Sequence, residues 1–174
     1  VYMSGGLLTH STITGNSFFT NRSGMGIYAT GAGALITHCV ITDNVSSNDI
    51  GNNNRGGGVY TYGGIGSAFE VIFSNCRIAN NHTWNGSGAG LFIWGGRVLI
   101  EDCLIERNSS LNSADSSGGF TATACPDLIC RNTIIQCNTN NGTWAGGAEI
   151  RSGHLFEHCI IRSNRAFHAG GLFN

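Results

Sequence analysis

Apolar and polar residues alternate over short stretches along nearly the whole chain, and no window carries a sustained stripe of helical period. Six segments set the rhythm: SGGLLTHSTITGN, GAGALITHCVITDN, FEVIFSNCRIANN, GRVLIEDCLIERN, CPDLICRNTIIQCN and SGHLFEHCIIRSN. Each carries a small residue, then Ile two positions later, then Asn three positions after the Ile. The Ile column is Ile13, Ile41, Ile78, Ile105, Ile135 and Ile161; the Asn column is Asn16, Asn44, Asn81, Asn108, Asn138 and Asn164. The small column is Ser11, Cys39, Cys76, Cys103, Thr133 and Cys159. A second set of short segments, GIYA, GVYT, GLFI, GFTA, GAEI and GLFN, alternates with the first.

A repeat of 24–37 residues is too long for an array of hairpins and suits a coil of short strands joined by turns. The fold class is therefore all-β: a right-handed parallel β-helix of about six coils, in one domain spanning residues 1–174. A β-sandwich has no reason to repeat Ile and Asn at matched offsets. Residues stacked one coil apart sit about 4.8 Å from each other, the spacing of paired strands. Stacked Ile then makes a dry interior. Stacked Asn passes an amide hydrogen bond from coil to coil, and it tolerates the left-handed conformation that a bend needs. The period varies because turns bulge without disturbing the ladder; the longest bulge reads VSSNDIGNNNR. The pattern is already running at Val1 and still running at Asn174, which reads as an excerpt of a longer chain without terminal caps.

Alternation also assigns faces in the second set of strands. Val1, Ile27, Val59, Leu91, Phe120 and Ala148 form one inward column. Met3, Ala29, Thr61, Ile93, Ala122 and Ile150 form its neighbour. The residues between them point outward: Tyr2, Tyr28, Tyr60, Phe92, Thr121 and Glu149. The next outward column is Ser4, Thr30, Tyr62, Trp94, Thr123 and Arg151. Tyr2, Tyr28, Tyr60, Tyr62, Phe92 and Trp94 are thus expected as a contiguous exposed strip, the candidate binding surface.

Composition narrows the classes. Charged residues are 11% of the chain, the formal net charge is −1, and all nine basic residues are Arg. That gives no basis for a nucleic-acid partner. No apolar run has the length of a membrane span, so this segment is not expected to insert. The Asn-, Ser- and Thr-rich composition includes six N-x-S/T sequons, at Asn21, Asn44, Asn81, Asn85, Asn108 and Asn141, weakly pointing to an extracellular or cell-surface location.

The I-x-x-N element followed by Gly-Gly-apolar resembles the polymorphic outer-membrane protein repeat. The nearest local match is Cys159-Ile160-Ile161-Arg162-Ser163-Asn164 with Ala169-Gly170-Gly171-Leu172; Ala145-Gly146-Gly147-Ala148-Glu149-Ile150 is similar. The chain uses Ile where that repeat prefers Phe, so the resemblance is safest at the level of the pectate-lyase-like β-helix superfamily. That resemblance implies one of two fates: polysaccharide lyase or hydrolase, or passenger, adhesin or fibre without chemistry.

The acidic residues favour the second fate. Hydrolases of this kind need paired carboxylates. Here Asp43, Asp49, Glu70, Asp115, Asp127 and Glu149 have no acidic neighbour one coil away. Glu101, Asp102 and Glu106 are the densest group, and Glu101, Arg131 and Glu157 are expected as a charge-compensated ladder. The N-T-D, D-D, G-H-G and R-I-K signatures of pectin hydrolases are absent. His10 and His38 share a column with Asn75, Asp102, Asn132 and His158, which reads as a polar bend position and not as a metal site. Seven Cys is an odd number. The stacked ones aim their Cβ atoms in parallel and read as filler, whereas Cys125 is a candidate for a disulfide with Cys130 or Cys137. No catalytic residue, metal or cofactor is assigned. The expected function is a non-catalytic extracellular structural or binding module. Its expected partners are other copies or neighbouring domains, with polysaccharide binding and end-to-end filament assembly as alternatives.

Overall fold

The computed structural model describes residues 1–18, 23–30, 33–46, 54–64, 70–111, 117–151 and 153–174. Every strand pairing is parallel, and no helix occurs among the described residues. The chain passes in turn through four sheets. The first has seven strands: Tyr2–Met3, Ile27–Thr30, Val59–Gly64, Leu91–Gly95, Phe120–Thr123, Ala148–Arg151 and Leu172–Phe173. The second has six, from Gly6–Thr9 to His154–Glu157, and the third six, from Thr12–Thr14 to Ile160–Arg162. The fourth has five, from Ser17–Phe18 to Thr139–Asn140. In each sheet the strands follow one another in chain order, as a parallel β-helix requires. The six expected coils are the six strands of the second and third sheets.

The Ile column is in register from end to end: Ile13, Ile41, Ile78, Ile105, Ile135 and Ile161 are direct partners across the third sheet. Ile41, Ile78, Ile105 and Ile135 have no exposed surface. Shortening one of them by a methylene opens a small void that the coils above and below cannot close. Ile105→Val should cost about 0.5–1.5 kcal/mol, read from the urea midpoint.

Both columns assigned to the interior of the first sheet are buried there. Ile27, Val59, Leu91, Phe120 and Ala148 form one, and Ala29, Ile93, Ala122 and Ile150 belong to the other. Val1, at the first edge, is exposed.

The Asn column forms the expected ladder. Each Nδ2 donates to the next Oδ1, from Asn16 through Asn44, Asn81, Asn108 and Asn138 to Asn164, at 2.8–3.0 Å. The same Oδ1 atoms also accept the backbone N–H of the preceding Asn. From Asn44 onward, Nδ2 donates in addition to the carbonyl of the ladder Ile one coil back. One expectation is corrected. The left-handed residue is not the ladder Asn but the one before it: Gly15, Asp43, Asn80, Arg107, Cys137 and Ser163 all have φ between 53° and 67°. That residue makes the bend, which leaves the Asn side chain free to turn inward.

The ladder explains why Gly-Gly accompanies I-x-x-N. A Cβ on Gly58 would lie 2.8 Å from Asn81 Nδ2 and 2.6 Å from the Gly90 carbonyl. Gly26, Gly90, Gly119 and Gly147 repeat this arrangement against Asn44, Asn108, Asn138 and Asn164. The amide stack lies directly on a bare strip of backbone.

Candidate functional site

The outward column of the first sheet stacks as a run of rings. Tyr2 and Tyr28 lie 5.8 Å apart between centroids, Tyr28 and Tyr60 5.1 Å, and Tyr60 and Phe92 5.6 Å. Tyr62 and Trp94 each lie 6.4 Å from the ring two residues before them. In-register pairing places all six side chains together, as alternation predicts.

Their exposure corrects the expectation of one open strip. Tyr2 and Tyr62 are exposed, at 71% and 47%, and Tyr28 and Trp94 are partly covered. Tyr60 and Phe92 are buried, at 6% and 3%, and Thr121 and Glu149 in the same column are buried as well. These residues do point away from the helix interior, since they alternate along their strands with the core residues Val59, Leu91, Ile93, Phe120, Ala122, Ala148 and Ile150. The turn backbone before the strands runs close against this column. A Cβ on Gly24 would touch the Tyr60 Cβ at 3.0 Å, and one on Gly88 the Phe92 Cα at 3.1 Å. Arg55, from a two-stranded ribbon of Asn54–Arg55 and Gly86–Ser87, holds its guanidinium 5.0 Å from the Phe92 centroid and 4.9 Å from that of Trp94. Burial, and after it the neighbouring Tyr28, push the Tyr60 phenol above its ordinary value. Glu149 accepts a 2.6 Å hydrogen bond from Arg151 Nε.

Arg55 is the component that sequence reasoning missed. The one available signal was a cation at the end of the longest bulge, directly before Gly-Gly-Gly and an aromatic strand.

The charged residues form pairs. Arg131 donates Nε and Nη2 to Glu101 Oε2 at 3.0 and 2.6 Å, and Glu157 follows in register, as the expected ladder requires. Arg97 pairs with Asp127. Glu106 does not join Glu101 and Asp102. It lies in the third sheet, buried, where it accepts from Arg77 Nε and Nη2 and from Gln136 Nε2, with Arg107 3.6 Å away. Burial pushes its carboxyl up, but the hydrogen bonds from Gln136 and Arg77 and the nearby guanidinium charges outweigh that and hold it below the ordinary carboxylate range. A carboxyl lowered by folding adds stability that is complete above its unfolded pKa and disappears as pH falls through the folded one. Wild-type stability should therefore drop on acidification, and Glu106→Gln should flatten that part of a pH series of urea melts. Asp49 and Asp115 lie outside the described residues.

His10 and His38 stack at 4.7 Å with rings 5° from parallel. Each Nδ1 bonds the hydroxyl of the preceding Thr9 or Thr37. His10, His38, Asn75, Asp102, Asn132 and His158 all have φ near 50°, the bend position that the mixed column suggested. Among the described residues no three His, Cys, Asp or Glu side chains gather in a metal-sized cluster. The proposed disulfide from Cys125 to Cys130 or Cys137 does not form. Cys125 and Cys130 are buried inside the coil and Cys137 lies at an exposed bend. Burial pushes the Cys125 thiol up to about 11. Of the sequon residues, Asn44, Asn81 and Asn108 are buried in the ladder, Asn141 is exposed, Asn85 is partly exposed and Asn21 lies outside the described residues.

The family model for the right-handed β-helix region matches residues 7–173. The chain belongs to the right-handed β-helix family. The match is to the family at large; the likeness to the outer-membrane repeat rests on its residues alone. No curated protein and no solved structure gives a significant match. The hand of this β-helix is the one that right-twisted parallel strands and their crossovers favour. Right-handed β-helices serve as scaffolds for unrelated functions, so the fold does not choose a function and the argument rests on the surface.

Proposed function

We propose that this β-helix is a non-catalytic extracellular or cell-surface module that contacts a partner through Tyr2, Tyr28, Tyr62 and Trp94. The observation that carries this reading is the way the exposed rings are mounted. Tyr62 and Trp94 emerge beside buried Tyr60 and Phe92, and Arg55 lies over the faces of Phe92 and Trp94. Rings held in one orientation lose little freedom on binding, which favours a contact surface. The ion pairs of Glu101, Glu106, Asp127 and Glu149 support the non-catalytic reading, because each carboxylate already has a cationic partner.

A polysaccharide partner is the second reading. It is favoured by the hydroxyls beside the rings: Tyr2 and Thr30 share a 3.1 Å hydrogen bond at the surface, as a sugar hydroxyl would. The test replaces Tyr62 and Trp94 by Ala and leaves buried Tyr60 alone. Retention on insoluble polysaccharides and on immobilised copies of the chain should fall at least about tenfold, a loss of roughly 1.4 kcal/mol, with the thermal midpoint unchanged. Undiminished retention by a folded double variant rejects the surface. Cleavage of pectin or alginate that is abolished by Glu101→Gln or Asp102→Asn rejects the non-catalytic reading.

A further inference from the structure

The corner between the second and third sheets carries a hydrogen-bond donor in every coil. Ser11, Cys39, Cys76, Cys103, Thr133 and Cys159 each donate to the carbonyl two residues back. The thiols among them also approach a second-sheet carbonyl one coil earlier: Cys39 that of Leu8, Cys76 that of Ile36, Cys103 that of Phe73, and Cys159 that of Cys130, at 3.3–3.7 Å. In the last of these the residue one coil earlier is itself a cysteine, and Cys159 Sγ lies 3.8 Å from Cys130 Sγ.

We propose that Cys130 and Cys159 form a disulfide that fastens the fifth coil to the sixth when a disulfide oxidant is present. Two features set this pair apart from the stacked cysteines. Cys39, Cys76 and Cys103 occupy one position on successive coils, so their Cβ atoms point the same way and resist bridging. Cys130 projects inward from a strand and Cys159 from the corner beyond the next strand, so their sulfurs converge. Cys159 is also partly exposed, whereas Cys39, Cys76 and Cys103 are buried, so an oxidant in solution reaches it first. The exchange balances. The Cys159 thiolate attacks one sulfur of oxidised glutathione, forming a mixed disulfide and releasing one glutathione thiolate. Cys130 then gives up its proton, attacks Cys159 Sγ and expels the second glutathione. The two protein thiols lose two electrons and two protons, and the oxidant's S–S bond gains them. Burial pushes the Cys130 thiol up, which slows the second step but not the first.

This inference is independent of the aromatic surface. The test uses the whole chain with Cys137→Ser, so that the exposed thiol does not compete. Folded protein is exposed to oxidised glutathione, quenched with an alkylating agent and mapped by peptide mass. The expected result is a linked Cys130–Cys159 peptide and a higher unfolding midpoint that reductant reverses. Cys159→Ser keeps the hydrogen-bond donor and should abolish the link with the reduced-state midpoint unchanged. Cys130→Ala should leave glutathione bound to Cys159. A glutathione adduct on Cys159 that never resolves in the presence of Cys130 overturns the proposal. So does a link between Cys76 and Cys103, or a folded chain in which neither Cys130 nor Cys159 reacts.

Discussion

Gly90→Ala should lose about 4 kcal/mol or more of stability, a large effect for one added methyl group. The new Cβ would lie 2.6 Å from the Gly119 carbonyl oxygen and 2.8 Å from Asn108 Nδ2. Neither can yield. The carbonyl accepts from Gly90 N and Leu91 N, and the amide is bonded to both Ile78 and Asn138. The φ of Gly90 is not in the left-handed region, so the requirement is for space and not for conformational freedom. Gly15→Ala is the matching control. It has φ +67° and nothing within 4 Å, so it should lose only the left-handed penalty, about 1–2 kcal/mol. Equilibrium urea denaturation followed by circular dichroism separates the two. A Gly90→Ala chain as stable as the control would mean that the glycine column and the amide ladder are not in contact.

Asn108→Ala should be comparably damaging, at about 4 kcal/mol. Asn108 Oδ1 accepts from Asn81 N and Nδ2, and its own Nδ2 donates to Ile78 O and Asn138 Oδ1, each at 3.0 Å. Truncation withdraws one partner from each of four polar groups in a dry interior; Asn81 Nδ2 and Asn138 Oδ1 each keep another, and at roughly 1–3 kcal/mol for a group left unpaired the losses sum to about that figure. The exposed end of the same column provides a comparison. Asn16→Ala removes only the Nδ2 donor to Asn44 Oδ1, which keeps the Asn16 backbone N–H, and it does so at a position open to water, so its effect should be small. Equal losses at Asn16 and Asn108 would show that burial of the ladder is not what stabilises it.

These two variants also mark how far the sequence could be read. Ile and Asn were legible because parallel in-register coils bring the same offset back to the same place, so identity along the chain reports contact in space. The contact between Gly90 and Asn108 was not legible, because it joins different offsets across the interior. Nor was the left-handed bend residue: Gly15, Asp43, Asn80, Arg107, Cys137 and Ser163 share a conformation but no chemistry. Alternation correctly gave the direction of Tyr60 and Phe92. It carried no information about what lies outside them, where Arg55 sits over Phe92 and the turn backbone at Gly24 runs against Tyr60. The disulfide expected for Cys125 failed for a related reason. Nearness in sequence grouped Cys125 with Cys130 and Cys137, but the coil puts Cys137 on an exposed bend and sets Cys130 Sγ against Cys159 Sγ.

The amide ladder has a direction. Every bond in it runs from an earlier Asn to a later one, so the rod presents acceptor oxygens on the Asn16 face and N–H donors on the Asn164 face. The rod is therefore polar along its axis, like a helix macrodipole built from side chains. Another coil laid on the Asn16 face must offer donors, and one laid on the Asn164 face must offer an acceptor. A coil laid on the Asn16 side in the opposite sense would set acceptor against acceptor, so the ladder extends with one polarity only, whatever chain supplies the next coil.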